Sequence, residues 1–195
     1  METSDLRLSA FFSRFPLLEK TIDTLNRAGI PFAIGGSGCL FMLGNDRLPD
    51  DVDIYLPNNR HDEADALFGI ESFTFHSQQE DVRNSNVEGD HSIQLTSGLV
   101  LSIEGKHYDL ALTADVLAMR LEMRRAGHPI FLYPPEDVLL IKGLLQRGED
   151  VGKHDLKDIQ NFLKIYPHLR KDYLAKRIAD LGATERVGDI FRRAE

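Results

Sequence analysis

The chain has 195 residues, 42% of them hydrophobic, which suits one compact core with a small appendage. Its net charge of −8 argues against nucleic-acid binding over the whole surface, and its single cysteine excludes an intramolecular disulfide. The first residues lack the basic-then-apolar pattern of a signal peptide, and no apolar run approaches the ~20 residues of a membrane span. We therefore expect a cytoplasmic protein with no membrane partner.

The first part of the chain alternates between helix and strand patterns. Apolar residues at helical spacing predict a helix from Phe11 to Ala28, ended by Gly29. A short apolar strand over 31–34 and an apolar helix over 37–43 are predicted to follow. Cys39 lies within that second helix, where an inert buried thiol is the expected role.

Asp51 and Asp53 form the most informative pair of residues in the chain. On a strand, side chains alternate between faces, so both carboxylates project to one side about 7 Å apart while Val52 and Ile54 face the other. Like charges held this way repel one another and favour a divalent cation. Hard cations such as Mg²⁺ take oxygen ligands and bring the phosphates of a substrate with them.

The turn Gly35-Gly36-Ser37 offers hydrogen-bond donors for such phosphates. Backbone N–H groups at the start of the following helix, together with the serine hydroxyl, are predicted to form an anion site. Other glycine motifs do not fit, because a dinucleotide fingerprint needs glycine where Phe41 stands and a nucleophile elbow needs glycine where Cys39 stands. Arg47 either touches the phosphates or neutralises Asp50.

The middle of the chain is predicted to change from strands to helices. Residues 61–68 predict a helix and 72–76 a strand, whereas the polar stretch 77–90 has no periodic pattern and predicts a mobile loop. Three strands separated by tight turns are expected next, over 92–95, 99–104 and 107–112, with turns at 97–98 and 105–106. From residue 114 onward the pattern is helical, apart from an extended piece at 130–133.

Together these elements predict an α+β fold with a mixed β-sheet in residues 1–134 and a C-terminal helical region in 135–195 that packs on it. Residues 153–195 carry 10 Lys and Arg against 7 Asp and Glu, which makes this end the one plausible basic face. Because the acids are interleaved with the bases, a solvated helical surface is favoured over a platform for tRNA. The histidines show no recognised metal-binding spacing, so no zinc site is predicted.

Ile34-Gly35-Gly36-Ser37 followed by Asp50-Asp51-Val52-Asp53-Ile54 resembles the signature of the polymerase-β-like nucleotidyltransferases. That signature is a Gly-Gly/Ser turn, a short helix, and Asp-x-Asp on the next strand. The similarity is strong over about residues 30–57 and looser through about residue 165. Within the family the chain looks closest to small stand-alone prokaryotic members, including antitoxin-type and abortive-infection-type nucleotidyltransferases. The resemblance implies a mixed sheet flanked by helices.

The same resemblance implies an enzyme that moves a nucleoside monophosphate from ATP or another NTP to a hydroxyl and releases pyrophosphate. Gly35, Gly36 and Ser37 would bind the nucleotide, and Asp51 and Asp53 would bind Mg²⁺, with Mn²⁺ as the alternative. The acceptor would be a protein side chain, a tRNA end or a small molecule such as an antibiotic. The competing hypothesis is a binding module of this fold that serves as partner of a toxin or another protein.

A two-metal site in this family needs a third carboxylate on a neighbouring strand. Asp109 is the predicted residue, because Tyr108 and Leu110 would face the core while Asp109 points the other way, in the order that the resemblance implies. Glu104, at the end of a strand, is the competitor. Asp115 is better explained as a first-turn residue of a helix that begins after Thr113.

Lys142 stands among apolar residues of a helix that opens at Pro134-Pro135. Its ammonium either extends to solvent along the apolar surface or meets the triphosphate, as a similar lysine does in related nucleotidyltransferases. Asp155 and Asp158 share one face of a later helix, and their simplest predicted role is to hold Lys142 or Arg147 in place.

Overall fold

The computed structural model describes the backbone of residues 3–192 and the side chains of residues 6–89 and 92–192. Its strands join into one mixed sheet: β1 Ala33–Ile34, β2 Val52–Tyr55, β3 Phe73–His76, β4 Glu80–Val87, β5 Asp90–Ile103, β6 Lys106–Asp109, β7 Leu121–Arg125 and β8 His128–Leu132. Its helices are α1 Thr3–Arg14, α2 Leu18–Ala28, α3 Gly36–Met42, α4 His61–Phe68, α5 Ala114–Ala118, α6 Pro135–Leu145, α7 Asp155–Ile165, α8 Lys171–Asp180 and α9 Thr184–Arg192.

The strand order is β3-β4-β5-β2-β1-β8-β7, and β6 also pairs with β5. The long strand β5 has two partners on one edge: its residues 93–96 run parallel to β2, while its residues 100–103 run antiparallel to β6. On the other edge β5 pairs antiparallel with β4. The β2 strand, which carries Asp53, therefore lies in the middle of the sheet, next to β1 and the turn into α3.

Helix α6 connects the sheet to the C-terminal helices. All of its residues are buried, because it is apolar on nearly every side and contacts α3, β5, α7, α8 and α9. It lies on the cavity face of the sheet, whereas α4 packs on the opposite face, where His61 contacts the hydroxyls of Ser85 and Ser97. No helix in the part of the chain that the structure describes has the length and apolar character to cross a membrane.

Several predicted elements are confirmed and one predicted helix is divided. The helices at 37–43 and 61–68, the strand at 72–76 and the helix opened by Pro135 are all present within one residue of the predicted bounds. The helix predicted from Phe11 to Ala28 is instead α1 and α2, because Pro16 lies between them. Proline cannot donate the helical hydrogen bond and clashes with the preceding turn.

The predicted loop at 77–90 is wrong, since most of it is strand β4. Its side chains are polar because they bond to neighbours inside the protein: Asn84 accepts from the Thr96 hydroxyl, and Arg83 pairs with Asp65. A strand with this composition shows no apolar alternation in the sequence.

Two further predictions at the sheet are wrong. Residues 97–98 do not form a hairpin turn, because Gly98 adopts φ +65° inside the continuous strand β5. Residues 121–125 form strand β7 rather than a helix. The turn Ala126-Gly127, with φ of 49° and 86°, closes a β7–β8 hairpin, and strand pairing outweighs the helix propensity of this segment. The predicted hairpin into β6 is confirmed, with Glu104 and Gly105 at its turn.

Candidate active site

The turn between β1 and α3 brings the chain against β2. Gly36 has φ +55°, and a Cβ atom at this position would lie 2.9 Å from Oδ2 of Asp53. A Cβ atom at Gly35 would overlap the ring of Tyr55, and the Gly35 amide donates to the Asp53 carbonyl at 2.9 Å. Two glycines are therefore needed because the backbone passes directly over the β2 strand and its carboxylate.

The Asp51 and Asp53 carboxylates lie side by side at the start of β2, which begins at Val52. Burial, and then the neighbouring carboxylate of Asp51, raise the pKa of Asp53 from 3.8 to about 6. Among the described residues, the cation that pairs with Asp51 is the Lys153 ammonium, 3.9 Å from its Oδ2. The protein thus holds two acids close together with incomplete charge compensation, which is the situation that a divalent cation relieves.

This raised pKa predicts a specific pH dependence of stability without metal. The unfolded chain ionises Asp53 near pH 4, whereas the folded chain keeps the proton until about pH 6, so folding stability falls as pH rises across this interval. We expect Asp53→Asn to melt close to wild type at pH 4 and well above it at pH 7, measured with a chelator present. Asp50→Asn, which removes a neighbouring exposed carboxylate, should follow wild type. A difference between Asp53→Asn and wild type that stays constant with pH would contradict the assignment.

The hydroxyl of Ser37 accepts hydrogen bonds from two cationic side chains. Arg47 Nη2 donates to Ser37 Oγ at 3.2 Å, and Lys142 Nζ donates to it at 3.4 Å. Lys142 is buried and pairs with Asp155 at 3.1 Å and Asp158 at 2.9 Å. The prediction that these two aspartates hold Lys142 in place is confirmed, and the alternative of an ammonium extended to solvent is wrong.

The cations and acids behind Ser37 form one connected network. Asp155 also binds Arg147 Nε at 2.9 Å, and Arg147 reaches Glu80 at 2.9 Å. Asp158 also binds Arg47 at 2.9 Å. Although burial raises the pKa of Asp158, its cationic partners outweigh that effect and hold the pKa below its ordinary value. Both basic side chains next to Ser37 are therefore fixed by carboxylates behind them.

These groups surround one cavity of about 420 Å³ between the sheet and α6. One end is charged and includes Gly36, Ser37, Asp51, Asp53, Glu80, Lys142, Arg147 and Lys153. The rest of the lining is uncharged: Gln94 lies opposite Asp53, Phe73 and Phe75 are on the edge strand β3, and the other residues are Val82, Asn84, Thr96 and Leu99, with Val138, Ile141 and Leu145 of α6. A phosphate-bearing substrate could therefore place its charged part at one end and a flat, less polar part at the other.

Asp109 does not line this cavity. Asp53 lies opposite Gln94 of β5, whereas Asp109 lies opposite Val100, six residues further along the strand. Its exposed carboxylate accepts a hydrogen bond from the amide of Ala111 at 3.0 Å. The structure does not bring Asp109 to the acidic pair, because Asp109 shares a sheet face with its partner Val100, whereas Leu99 on the other face lines the cavity.

Glu104 and Asp115 also lie outside this cavity. Glu104 is at the β5–β6 turn and pairs with Arg186 at 2.9 Å. Asp115 is in the first turn of α5, which is capped by the hydroxyl of Thr113, as predicted. The third carboxylate of the cavity is instead Glu80, which the sequence analysis missed. The sequence analysis also missed four other residues that line the cavity: Arg147, Lys153, Phe73 and Phe75. The alternation Phe73-Thr74-Phe75-His76 was nevertheless visible in the sequence.

Within the described residues, no cluster of three or more His, Cys, Asp or Glu side chains has the geometry of a complete metal site. The two aspartates alone fit a cation that takes most of its remaining oxygens from a substrate and water, as Mg²⁺ does. Cys39 is buried, its thiol lies 3.4 Å from the Tyr133 carbonyl, and burial raises its pKa well above the ordinary range, in agreement with the predicted inert role.

The fold of this chain is found in solved structures. A Thermotoga maritima protein described as a candidate nucleotidyltransferase superposes with a TM-score of 0.57 at 16% identity, over 70% of this chain and 87% of its own. The crystal structure of ANT(2″)-Ia with adenylyl-2″-tobramycin superposes with a TM-score of 0.57 at 14% identity, over 89% of this chain and 99% of its own. The fold is that of the nucleotidyltransferases.

The nucleotidyltransferase fold extends over nearly the whole chain. A solution structure of ANT(2″)-Ia, described as an antibiotic-resistance factor, superposes with a TM-score of 0.55 at 14% identity and covers 95% of this chain and 100% of its own. No protein-family model matches the sequence, and no curated protein matches it significantly. The resemblance seen in residues 34–37 and 50–54 is thus confirmed at the level of fold, and so is the predicted α+β class with its mixed sheet and C-terminal helices.

Proposed function

We propose that this protein transfers a nucleoside monophosphate from an NTP to a hydroxyl and releases pyrophosphate. The observation that carries the proposal is the single cavity in which a pair of carboxylates, Asp51 and Asp53, lies beside the cation-backed hydroxyl of Ser37. In a nucleotidyltransferase fold, acids beside a phosphate-binding turn suit phosphoryl chemistry, in which positioning and charge neutralisation provide most of the catalysis.

Asp51 and Asp53 would hold the divalent cation, Mg²⁺ or alternatively Mn²⁺. Their oxygens fit such an ion because burial and the Asp51 carboxylate raise the pKa of Asp53 to about 6, and because Lys153 is the one cation among the described residues that pairs with Asp51, so the two acids gain from added positive charge. When bound, the cation supplies charge neutralisation of the phosphates and lowers the pKa of a coordinated hydroxyl.

The turn would bind the β- and γ-phosphates. Gly35 and Gly36 allow a phosphate to approach the backbone, and the Ser37 hydroxyl can turn towards it while Arg47 and Lys142 support that hydroxyl from behind. Lys142 carries its charge to the cavity wall without being free to move, since Asp155 and Asp158 hold it. Its role in this proposal is to fix Ser37 and to add positive potential where the pyrophosphate leaves.

Glu80 is the residue that we propose to serve the acceptor hydroxyl, in place of Asp109. It lies in the cavity, and its charge contributes to raising the pKa of Asp53. A general base contributes about 10²- to 10⁴-fold to a rate. We therefore expect Glu80→Gln to lower kcat by at least about 100-fold with little change in NTP affinity, and Asp109→Asn to leave both near wild type.

Steady-state kinetics with both variants checks this assignment. Because Glu80 also binds Arg147, the variant Arg147→Lys serves as control for a loss of positioning alone. If Glu80 is the general base, its replacement should also remove the acidic limb of the pH–rate profile. If Asp109→Asn loses activity and Glu80→Gln does not, the role returns to Asp109.

The acceptor in this proposal is a small molecule that carries a hydroxyl. In this proposal the acceptor hydroxyl would reach the acidic pair beside the bound nucleotide, which favours a compact acceptor, and the similar ANT(2″)-Ia structure holds adenylyl-2″-tobramycin. The division into a catalytic domain over 1–134 and a helical region over 135–195 belongs to the same proposal, with the helical region supplying Lys142, Arg147 and Lys153 to the cavity wall.

The proposal is tested by labelling a cell extract with each of four NTPs labelled at the α-phosphate, in the presence of Mg²⁺. The extract is then separated into protein, nucleic acid and small-molecule fractions. We expect label in the small-molecule fraction with wild type and a much slower appearance of that label with Glu80→Gln. Label in protein or RNA would keep the reaction but replace the acceptor, and failure to bind any Mg·NTP by calorimetry would refute the function.

A further inference from the structure

Two phenylalanines on the edge strand β3 are open to solvent inside the cavity. Phe73 and Phe75 have 45% and 44% of their surface exposed, although both line the same cavity as the catalytic acids. Being two residues apart on a strand, they project from the same face. Exposed aromatic residues on an edge strand favour aggregation, so their position over a binding cavity calls for a function.

The register of the sheet places these rings at the far end of the cavity from the acids. Phe73 lies opposite Asn84, Asn84 opposite Thr96, and Thr96 opposite Tyr55 of β2. Paired residues share a face, and neighbouring strands are about 4.8 Å apart, so the row extends about 14 Å from β2 to β3. Asp53 lies two residues before Tyr55 on that same face. A nucleotide with its phosphates at β2 can span this distance with its base.

The floor between the two ends offers neutral hydrogen-bonding groups. Asn84 accepts from the Thr96 hydroxyl through Oδ1 at 3.0 Å, which leaves its amide nitrogen to donate elsewhere. Gln94 also lines the cavity, opposite Asp53 and therefore nearer to the acidic pair than Asn84. Carboxamides bind the edges of nucleobases, while aromatic side chains stack on their faces. The far end therefore has the chemistry for a flat heterocycle rather than for a phosphate.

We propose that Phe73 and Phe75 form the stacking platform for the nucleobase of the bound NTP. This inference rests on the proposed function, because it places the triphosphate of the same ligand at Ser37 and the acidic pair. The platform gives affinity to any base, since every base has a stacking face, whereas the carboxamides of Asn84 and Gln94 choose among bases. The residues that bind the phosphates should contribute the same binding free energy to an NTP and to a ligand that has phosphates but no base.

The test compares a ligand with a base and a ligand without one. Calorimetry measures the binding of the four Mg·NTPs and of Mg·tripolyphosphate to wild type and three variants. The double variant Phe73→Ala/Phe75→Ala removes the rings, Phe73→Leu/Phe75→Leu keeps apolar bulk without aromatic faces, and Leu67→Ala removes a similarly exposed apolar side chain on α4. Circular dichroism verifies that each variant folds.

Wild type is expected to bind its preferred NTP more tightly than tripolyphosphate. The alanine pair should weaken NTP binding by roughly 5- to 150-fold, the range for loss of one stacked base, while tripolyphosphate affinity stays unchanged. The leucine pair should recover only part of the loss, and Leu67→Ala should match wild type. Unchanged NTP affinity in the alanine pair would overturn the inference while tripolyphosphate binding still supports the function. If neither ligand binds with Mg²⁺, the proposed function fails and the platform with it.

Discussion

Replacing Asp51 and Asp53 together by Asn is expected to abolish nucleotidyl transfer and to weaken Mg²⁺-dependent NTP binding. In the proposed function these two carboxylates, which line the cavity, bind the cation, and without their charge the cation would no longer be held next to the phosphates. The fold should remain intact, because the substitution keeps the size of both side chains. Turnover, and NTP binding with and without Mg²⁺, provide the measurement.

The same double variant should melt at a higher temperature than wild type at pH 7 without metal. The reason is that burial and mutual repulsion disfavour the charged form of Asp53 in the folded state. Added Mg²⁺ should stabilise wild type and leave the melting temperature of the double variant unchanged, since a ligand stabilises only a folded protein that binds it. Asp50→Asn is the matched control, with the same chemical change one position away on an exposed side chain. Transfer at the wild-type rate by the double variant would rule out this site.

Arg177→Ala is expected to cause the largest loss of stability. Arg177 Nε binds Oδ1 of Asp137 at 2.6 Å, and the Tyr173 hydroxyl donates to its Oδ2 at 2.5 Å, in a place where the Asp137 side chain is fully buried. Removing one partner of a buried ion pair leaves the other charge without compensation and costs about 3–5 kcal/mol. Urea unfolding should show this as a lower midpoint with little change in slope.

Lys176→Ala provides the control for this prediction, because Lys176 is adjacent in the chain but pairs with Asp180 on the surface. It should lose at most about 1 kcal/mol, the usual value of an exposed pair. Equal effects of the two substitutions would show that the Arg177 pair is not buried in solution. Because burial raises the pKa of Asp137, this carboxyl group could also be protonated once Arg177 is removed. In that case Asp137→Asn in the Arg177→Ala background should not change stability, whereas it should stabilise the protein if Asp137 stays charged.

These ion pairs also change how an RNA interaction of the C-terminal helices can be tested. Arg170 is bound to the buried Glu136 through two contacts of 2.7 and 3.0 Å, and Arg177 is bound to Asp137. Charge reversal at either arginine would therefore damage the fold rather than a phosphate contact. Only the neighbouring exposed lysines 171 and 176 are suitable for measuring the salt dependence of RNA binding.

The sequence was sufficient to predict the parts of the site that are close together in the chain. The Gly35-Gly36 turn and the Asp51–Asp53 pair depend on local backbone geometry, glycine conformation and strand alternation, which short motifs encode. The role of Asp155 was also predictable, because its helix face and the unpaired Lys142 imply a partner.

The third carboxylate could not be predicted, because it depends on register between distant strands. Both Asp109 and Glu80 are on strands that pair with the second half of β5, Asp109 opposite Val100 and Glu80 opposite Leu101. Because successive strand residues face opposite sides, only Glu80 is on the face that lines the cavity. Glu80 was hidden for a second reason: strand β4 is polar, so that hydrophobic periodicity gave no sign of a strand. Long-range pairing of this kind is set by the whole sheet rather than by local pattern.

The most direct measurement of the central claim follows the phosphorus atoms of the nucleotide. Purified protein is incubated with Mg²⁺, an active extract fraction, and the preferred NTP labelled either at the α- or at the γ-phosphate. Nucleotidyl transfer predicts that the α-label appears in the product and that the γ-label is released as pyrophosphate, both absent with the Asp51→Asn/Asp53→Asn variant. Label from the γ-phosphate in the product, or release of that label as inorganic phosphate with no α-label transferred, would contradict the proposed reaction.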